Sequence, residues 1–190
     1  RYNNTIWKRA YREGLPYTPQ QKYQSTTHEP DGVEITFQPD FTIFDANDFD
    51  YDLIAQRCRD IAYTLPHLTI EIEDQRENPV KRETFHYPDG LKALVRDLNR
   101  NKNSIQGIIH HADEIELRDR NDKPYPVYIE LALQFTDSHE TIERAFVNTL
   151  ATELAGTHIN ALRSVIQSQI SDYLASNENP SLFIDWSKIS

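Results

Sequence analysis

Ala155-Gly156-Thr157-His158-Ile159-Asn160-Ala161-Leu162-Arg163 follows an apolar, strand-like stretch ending at Val147-Asn148-Thr149 and opens a long amphipathic helix. Ile159, Leu162, Ile166, Ile170 and Tyr173 recur at helical spacing. They predict a helix of roughly four turns at about 3.6 residues per turn, which Asn177 to Pro180 breaks. At its start Thr157 can cap, Gly156 can permit a tight approach, and His158 can satisfy nearby polar groups. Free amides at such a helix start can also receive an anion; spacing alone favours the structural role.

Working back from that helix, Val127, Ile129, Leu131, Leu133 and Phe135 form the clearest alternating strand in the chain. Ile108-Ile109 and Ile115 with Leu117 read as separate strand fragments, and Asn121-Asp122-Lys123-Pro124 as a turn. Leu91, Leu94, Val95 and Leu98 predict a helix after Gly90, with a polar exit at 99–103. Leu68, Ile70 and Ile72 alternate with Thr69, Glu71 and Glu73, a strand with one wet face. A charged turn at 74–82 then leads to a short strand at 83–87. The acidic run Asp45 to Asp52 suits the N-terminus of a helix running to about Leu65, where Pro66 ends it. On that helix Ile54, Cys58, Ile61 and Leu65 form a stripe, which makes Cys58 a core residue rather than a nucleophile. Near the N-terminus, Thr5 to Tyr11 and Val33-Ile35-Phe37 read as two strands of a long-looped hairpin over residues 5–38, with the polar stretch 17–29 as their connection. No internal repeat is visible, and the fold class is α+β, a sheet packed on a few helices.

Composition bounds the function. A formal charge of −10 argues against an autonomous nucleic-acid-binding module. The basic clusters Lys8-Arg9, Arg57 to Arg59, Lys81-Arg82 and Arg96 to Lys102 read as solvated faces of their elements. The single cysteine, Cys58, excludes an intrachain disulfide and fits a reducing cytoplasm. A mean hydropathy of −0.69 marks a soluble chain. No apolar run approaches the roughly 20 residues needed to cross a bilayer, so no membrane partner is expected. The absence of Met suggests an internal piece of a longer protein.

No metal site is expected. His110 and His111 lie near Asp113, Glu114 and Glu116, but adjacent strand residues point to opposite faces and do not converge on one ion. No nucleophile elbow, phosphate-binding glycine loop or paired carboxylates can be placed, so no catalytic residue is assigned.

Several motifs stand in a specific order: Phe85-His86-Tyr87-Pro88-Asp89-Gly90-Leu91, Leu98-Asn99-Arg100-Asn101-Lys102, Leu131-Ala132-Leu133-Gln134-Phe135-Thr136-Asp137, and the helix start quoted above. With Ile6-Trp7-Lys8-Arg9-Ala10-Tyr11-Arg12-Glu13-Gly14 before them, the set resembles the B subunit of bacterial type IIA DNA topoisomerases, gyrase and topoisomerase IV, weakening after about Ala175. The resemblance implies two parts. Residues 1–44 would be the final strands of a Bergerat-type ATP-binding domain. Residues 45–190 would be a transducer domain with a left-handed βαβ crossover, like domain 2 of ribosomal protein S five.

In such a protein ATP and Mg bind largely upstream, and the family's catalytic glutamate, magnesium-binding asparagine and glycine-rich lid are not in this chain. Gly32 and Val33 would lie at the periphery of the ATP site, where the family has Gly-Thr and Val33 cannot donate the threonine hydroxyl. The family's phosphate-reaching lysine of a Gln-Thr-Lys loop is also missing, so the chain alone is not expected to bind or hydrolyse ATP. Gly156, Thr157 and His158 match the family's Gly-Gly-Thr-His, with Ala155 in place of the first glycine. Arg163 matches an arginine facing the cavity through which DNA passes, whereas its place on the helix alone reads as a salt-bridged helix arginine. The implied partners are an A-type topoisomerase subunit, double-stranded DNA and a second copy of the same chain in an ATP-bound homodimer. The implied function is to relay ATP-driven dimerisation to strand passage. The alternative is a degenerate, non-enzymatic binding or regulatory module of the same fold.

Overall fold

A computed structural model describes residues 1–25, 30–44, 49–76, 78–152 and 156–176. The chain divides into two units, Arg1–Phe49 and Asp50–Ser190. Among the described residues it is α+β, and every ladder is an antiparallel pair of strands.

In the first unit, β1 (Thr5–Lys8) pairs with β4 (Gln21–Gln24), from Thr5 opposite Gln24 to Lys8 opposite Gln21. Nested between them, β2 (Tyr11–Arg12) pairs with β3 (Leu15–Pro16). Glu13 at φ 52° and Gly14 at φ 77° form the two-residue turn whose twist suits a hairpin. This corrects the expected partner of β1. Residues 33–37 join no ladder, and Val33 is 87% exposed. Alternation marks a segment as strand-like without naming its mate. The tight turn at Glu13-Gly14 brings 21–24 back beside β1 with a shorter loop to close than 33–37 would need.

The second unit begins with α1 (Tyr51–Thr64), where the Asp50 carboxylate accepts from the Leu53 amide at 3.0 Å and satisfies one orphan donor of the helix start. Asp50 belongs to the acidic run Asp45 to Asp52 expected at this helix start, of which residues 45–48 lie outside the described residues. Leu65 closes the helix by donating to the Ile61 carbonyl, and Pro66 follows. The buried face is rotated by about one residue from the expected stripe. Ala55, Ala62 and Tyr63 are buried, Cys58 and Ile61 are half-buried, and Ile54 and Leu65 are exposed. Alanines allow the backbone of α1 to approach its neighbours closely, and a hydrophobicity pattern that weights large residues passes over them.

Against α1 packs the hairpin of β5 (Ile70–Asp74) and β6 (Lys81–Phe85), in register from Ile70 opposite Phe85 to Asp74 opposite Lys81. Phe85, Ala55 and Ala62 form one buried cluster, flanked by Tyr51, Cys58, Ile70, Ile72 and Tyr87. A second cluster joins Tyr63 of α1 to Ala93 and Leu94 of α2 (Leu91–Leu98), flanked by Tyr87, Leu91, Leu98 and Phe146. Tyr87 belongs to both.

Gly90 starts α2 at φ 55°, and a Cβ there would sit 3.0 Å from Pro66 Cγ. Position and conformation both require glycine. Gly90→Ala is expected to destabilise the protein by about 1–3 kcal/mol from backbone strain, read as a lower midpoint in urea; an unchanged midpoint would reject this account.

Beyond α2, β7 (Ile109–Arg118) and β8 (Pro124–Leu133) make a long hairpin, from Ile109 opposite Leu133 to Arg118 opposite Pro124. The two expected fragments are thus one strand of ten residues. The strong alternation of β8 supplies a partner at every position, so the polar residues of β7 join the ladder. In its turn the Asp119 carboxylate accepts from the amides of Asn121 and Lys123 at 2.8 and 2.9 Å, and Asp122 is left-handed at φ 62°. The exit of α2 is tied to the end of β8. Asn99 Nδ2 donates to Gln134 Oε1 at 3.1 Å, and Asn103 Nδ2 donates to Asp137 Oδ2 at 2.7 Å. Donation from Asn103 holds the Asp137 carboxyl below the usual carboxylate range. A tight hairpin, β9 (Phe146–Val147) and β10 (Leu150–Ala151), turns through Asn148 and Thr149 at positive φ before α3 (Thr157–Ser176). At 20 residues α3 is longer than the four turns expected, and the expected break at Asn177 to Pro180 lies outside the described residues.

Candidate functional site

Gly156, Thr157 and His158 come together at the start of α3. The Gly156 carbonyl accepts from the amides of Ile159 and Asn160 at 3.0 and 3.3 Å, so Gly156 sits at the cap and Thr157 is the first helical residue rather than the cap. The imidazole of His158 lies over Gly156: a Cβ at 156 would stand 2.5 Å from His158 Cε1 and 2.7 Å from Nδ1. That contact is the tight approach the small residue permits. Ala155 lies outside the described residues.

Arg163, one and a half turns further on, makes a two-pronged ion pair. Its Nε donates to Glu143 Oε1 at 2.9 Å and its Nη2 to Glu143 Oε2 at 2.5 Å. The carboxylate, by hydrogen bonding first and charge second, raises the affinity of the guanidinium for its proton. Planar fork-to-fork pairing of this kind fixes an arginine's direction as well as neutralising it. Both side chains remain partly exposed, at 40% and 31%. Sequence reading did not find Glu143. It stands 20 residues away in an irregular segment, with no periodic signal to tie it to α3.

The other basic clusters are largely neutralised. Arg59 pairs with Glu83 at 3.4 Å and lies over the Phe85 ring; Lys81 pairs with Asp52 at 3.0 Å and lies over Tyr51. Arg82 meets Glu73, Arg96 meets Asp89, Arg100 meets Asp97 and Lys102 meets Glu140. Lys81, Arg82 and Arg100 lie on solvated faces as expected, whereas Lys102, its side chain 16% exposed, is largely covered. His110 and His111 fall on opposite faces of the β7–β8 hairpin, and His110 Nε2 lies 3.0 Å from Glu130 Oε1. Among the described residues no group of three or more His, Cys, Asp or Glu is placed to hold a metal ion. No helix among them is long and apolar enough to cross a membrane.

Gly32 and Val33, in the first unit, lie apart in sequence and unit from the α3 residues. Gly32 exchanges backbone hydrogen bonds with Arg1, at 2.6 and 3.1 Å, and Val33 is exposed. Neither offers a side-chain donor to a phosphate or a base, so these two residues alone do not hold a nucleotide.

Comparison with known proteins agrees with the order of motifs. Residues 90–181 match the family model described as DNA gyrase B. The chain is 32% identical to the gyrase B protein of Thermotoga maritima over 170 residues, covering 88% of this chain and 26% of that protein. The chain belongs to the DNA gyrase B family. To the B-type protein of DNA topoisomerase 4 from Streptococcus pneumoniae it is 30% identical, covering 90% of the chain and 25% of that protein. It therefore spans about a quarter of the length of these gyrase-B-family relatives. In fold it is similar to the 43K ATPase domain of Thermus thermophilus gyrase B, with a TM-score of 0.69 at 20% identity, covering 92% of this chain and 45% of that one. The B-subunit of the DNA gyrase from Myxococcus xanthus gives 0.68 at 19%, covering 91% and 48%. These likenesses establish the α+β fold of the gyrase B ATPase region.

Proposed function

We propose that this chain is the relay segment of the gyrase-B-type component of an ATP-dependent type II DNA topoisomerase, carrying ATP-driven dimerisation toward DNA strand passage. The observation that carries the reading is the match to gyrase B relatives over 88% of the chain. On this reading residues 1–44 complete the sheet of an ATP-binding domain, and residues 45–190 form a transducer whose full sheet includes a left-handed crossover. ATP and Mg are held mainly by residues of the parent protein beyond this chain, with Gly32 and Val33 at the rim. The partners are a second copy of the parent protein, an A-type subunit and double-stranded DNA, in a reducing cytoplasm.

Within that scheme the chain's own residues position and relay. Arg163 contributes positive charge toward a passing duplex, where phosphates attract it without regard to sequence. Glu143 sets its direction and tempers its charge. Gly156, Thr157 and His158 fix where α3 begins, and so where Arg163 points.

The test is ATP-dependent supercoil relaxation by the full-length protein with its cognate A-type subunit. Relaxation that requires both ATP and the A-type subunit is the expected result. Val33, exposed and without a hydroxyl, favours one competing reading, a module that has lost its nucleotide partner. A well-folded full-length protein that neither binds nucleotide nor passes strands would establish that reading instead.

A further inference from the structure

The relay function requires that motion entering α1 reach the rest of the second unit. α1 is the first element after the boundary at Phe49 and Asp50, so whatever the chain transmits along its backbone enters there. At the far end of α1, Tyr63 is 3% exposed, and its ring stacks on Tyr87 with centroids 3.8 Å apart and planes 19° from parallel. Its hydroxyl donates to the Asp97 carboxylate on the last turn of α2, and Asp97 also accepts from Arg100 Nη2 at 2.8 Å. The same cluster includes Phe146, which opens the β9–β10 hairpin three residues after Glu143, the partner of Arg163.

We propose that the Tyr63–Asp97 hydrogen bond, inside the Tyr63–Tyr87 stack, is a positioning contact that locks α1 and α2 into one lever, so that displacement of α1 is delivered through Phe146 to the Glu143–Arg163 pair. This rests on the relay function proposed above.

The chemistry supports a lock rather than a sliding surface. An apolar helix interface made of alanine and leucine can shift by fractions of a turn at little cost. A buried phenol cannot follow such a shift without leaving its acceptor, and at 3% exposure the Tyr63 hydroxyl would find little water in its place, while Asp97, a third exposed, could turn to solvent. The contact is therefore made or broken, with little in between, which is the property a two-position relay needs. The electrostatics agree with it. Burial first, then donation to Asp97, raises the Tyr63 phenol far above its ordinary value, and acceptance from Tyr63 is the leading cause of a lowered Asp97 carboxyl. The proton stays on Tyr63 and the charge on Asp97 across the physiological range, so the lock does not slip with pH.

Tyr63→Phe removes the hydroxyl and keeps the stacked ring. In the full-length protein with its A-type subunit, the ATP hydrolysed per strand passage is expected to rise roughly three- to tenfold, the scale on which single residues modulate coupling, with the hydrolysis rate itself little changed. Asp97→Asn keeps an acceptor oxygen for Tyr63 and is expected to stay near the unsubstituted ratio. Native hydrogen exchange supplies a readout that needs no topoisomerase activity: amides at the end of α1 and along α2 should open together in the unsubstituted protein and separately in Tyr63→Phe. Matched exchange in Tyr63→Phe overturns the lever. Separated exchange with an unchanged ratio overturns its role in coupling and leaves a structural contact. If the unsubstituted protein passes no strands, the functional reading fails, while the exchange comparison still decides the lever.

Discussion

Phe85→Ala should destabilise the second unit by about 3–5 kcal/mol, the cost of removing a large buried aromatic ring. Phe85 is 3% exposed and faces Ala55 and Ala62, whose methyl groups cannot reach into the space left behind. The guanidinium of Arg59, 5.2 Å above the ring centroid, would lose its aromatic partner as well. Few of the described residues of this unit are buried, so the loss is a large part of a total stability that for a domain amounts to about 5–15 kcal/mol. Urea denaturation followed by far-ultraviolet circular dichroism measures it, with Phe85→Leu as the volume-sparing control, expected to cost less than about 1.5 kcal/mol. A loss below about 1 kcal/mol for the alanine variant would mean that the cluster collapses freely around the gap, contrary to the helix spacing set by the two alanines.

The second large effect concerns DNA. Glu143 neutralises Arg163 through both prongs of its guanidinium, so removing that carboxylate should expose a full positive charge rather than weaken the site. In the full-length protein Glu143→Gln is expected to tighten binding to duplex DNA at low salt. It should also steepen the dependence of log affinity on log salt by about 0.9, the increment for one more neutralised phosphate. Arg163→Ala should weaken binding and lower strand passage, since it leaves the Glu143 carboxylate unpaired, and the double variant, which removes both charges, should fall between the two single variants. If Glu143→Gln and Arg163→Ala both leave the salt slope unchanged, Arg163 does not meet DNA and the ion pair only anchors α3.

How much of this was legible beforehand follows from the range of each signal. The start of α2 was written locally in Asp89-Gly90-Leu91, the end of α1 in Leu65-Pro66, and β8 in five alternating apolar residues. Each of those features is settled within about one turn or one strand of chain. The pairing of β1 with β4 was not legible, because a polar run such as Gln21-Lys22-Tyr23-Gln24 carries no alternation and takes its place from the preceding turn. The buried face of α1 was misplaced by about one residue because its deepest positions are alanines. At the helix start Gly156 and His158 stood out in the sequence, while Arg163 was marked only by the family resemblance. Glu143 and Asp97 did not, since their partners lie 20 and 34 residues away and nothing in a linear pattern reports contact at that distance.

The imidazole that lies over Gly156 ties residue 156 to the direction of the ring at 158. With the ring in this position only a hydrogen fits beneath it, but His158 is exposed, so a side chain at 156 is accommodated by turning the imidazole outward into solvent. Relatives that carry a side chain at 156 are therefore where the ring at 158 should be found turned away from the helix start.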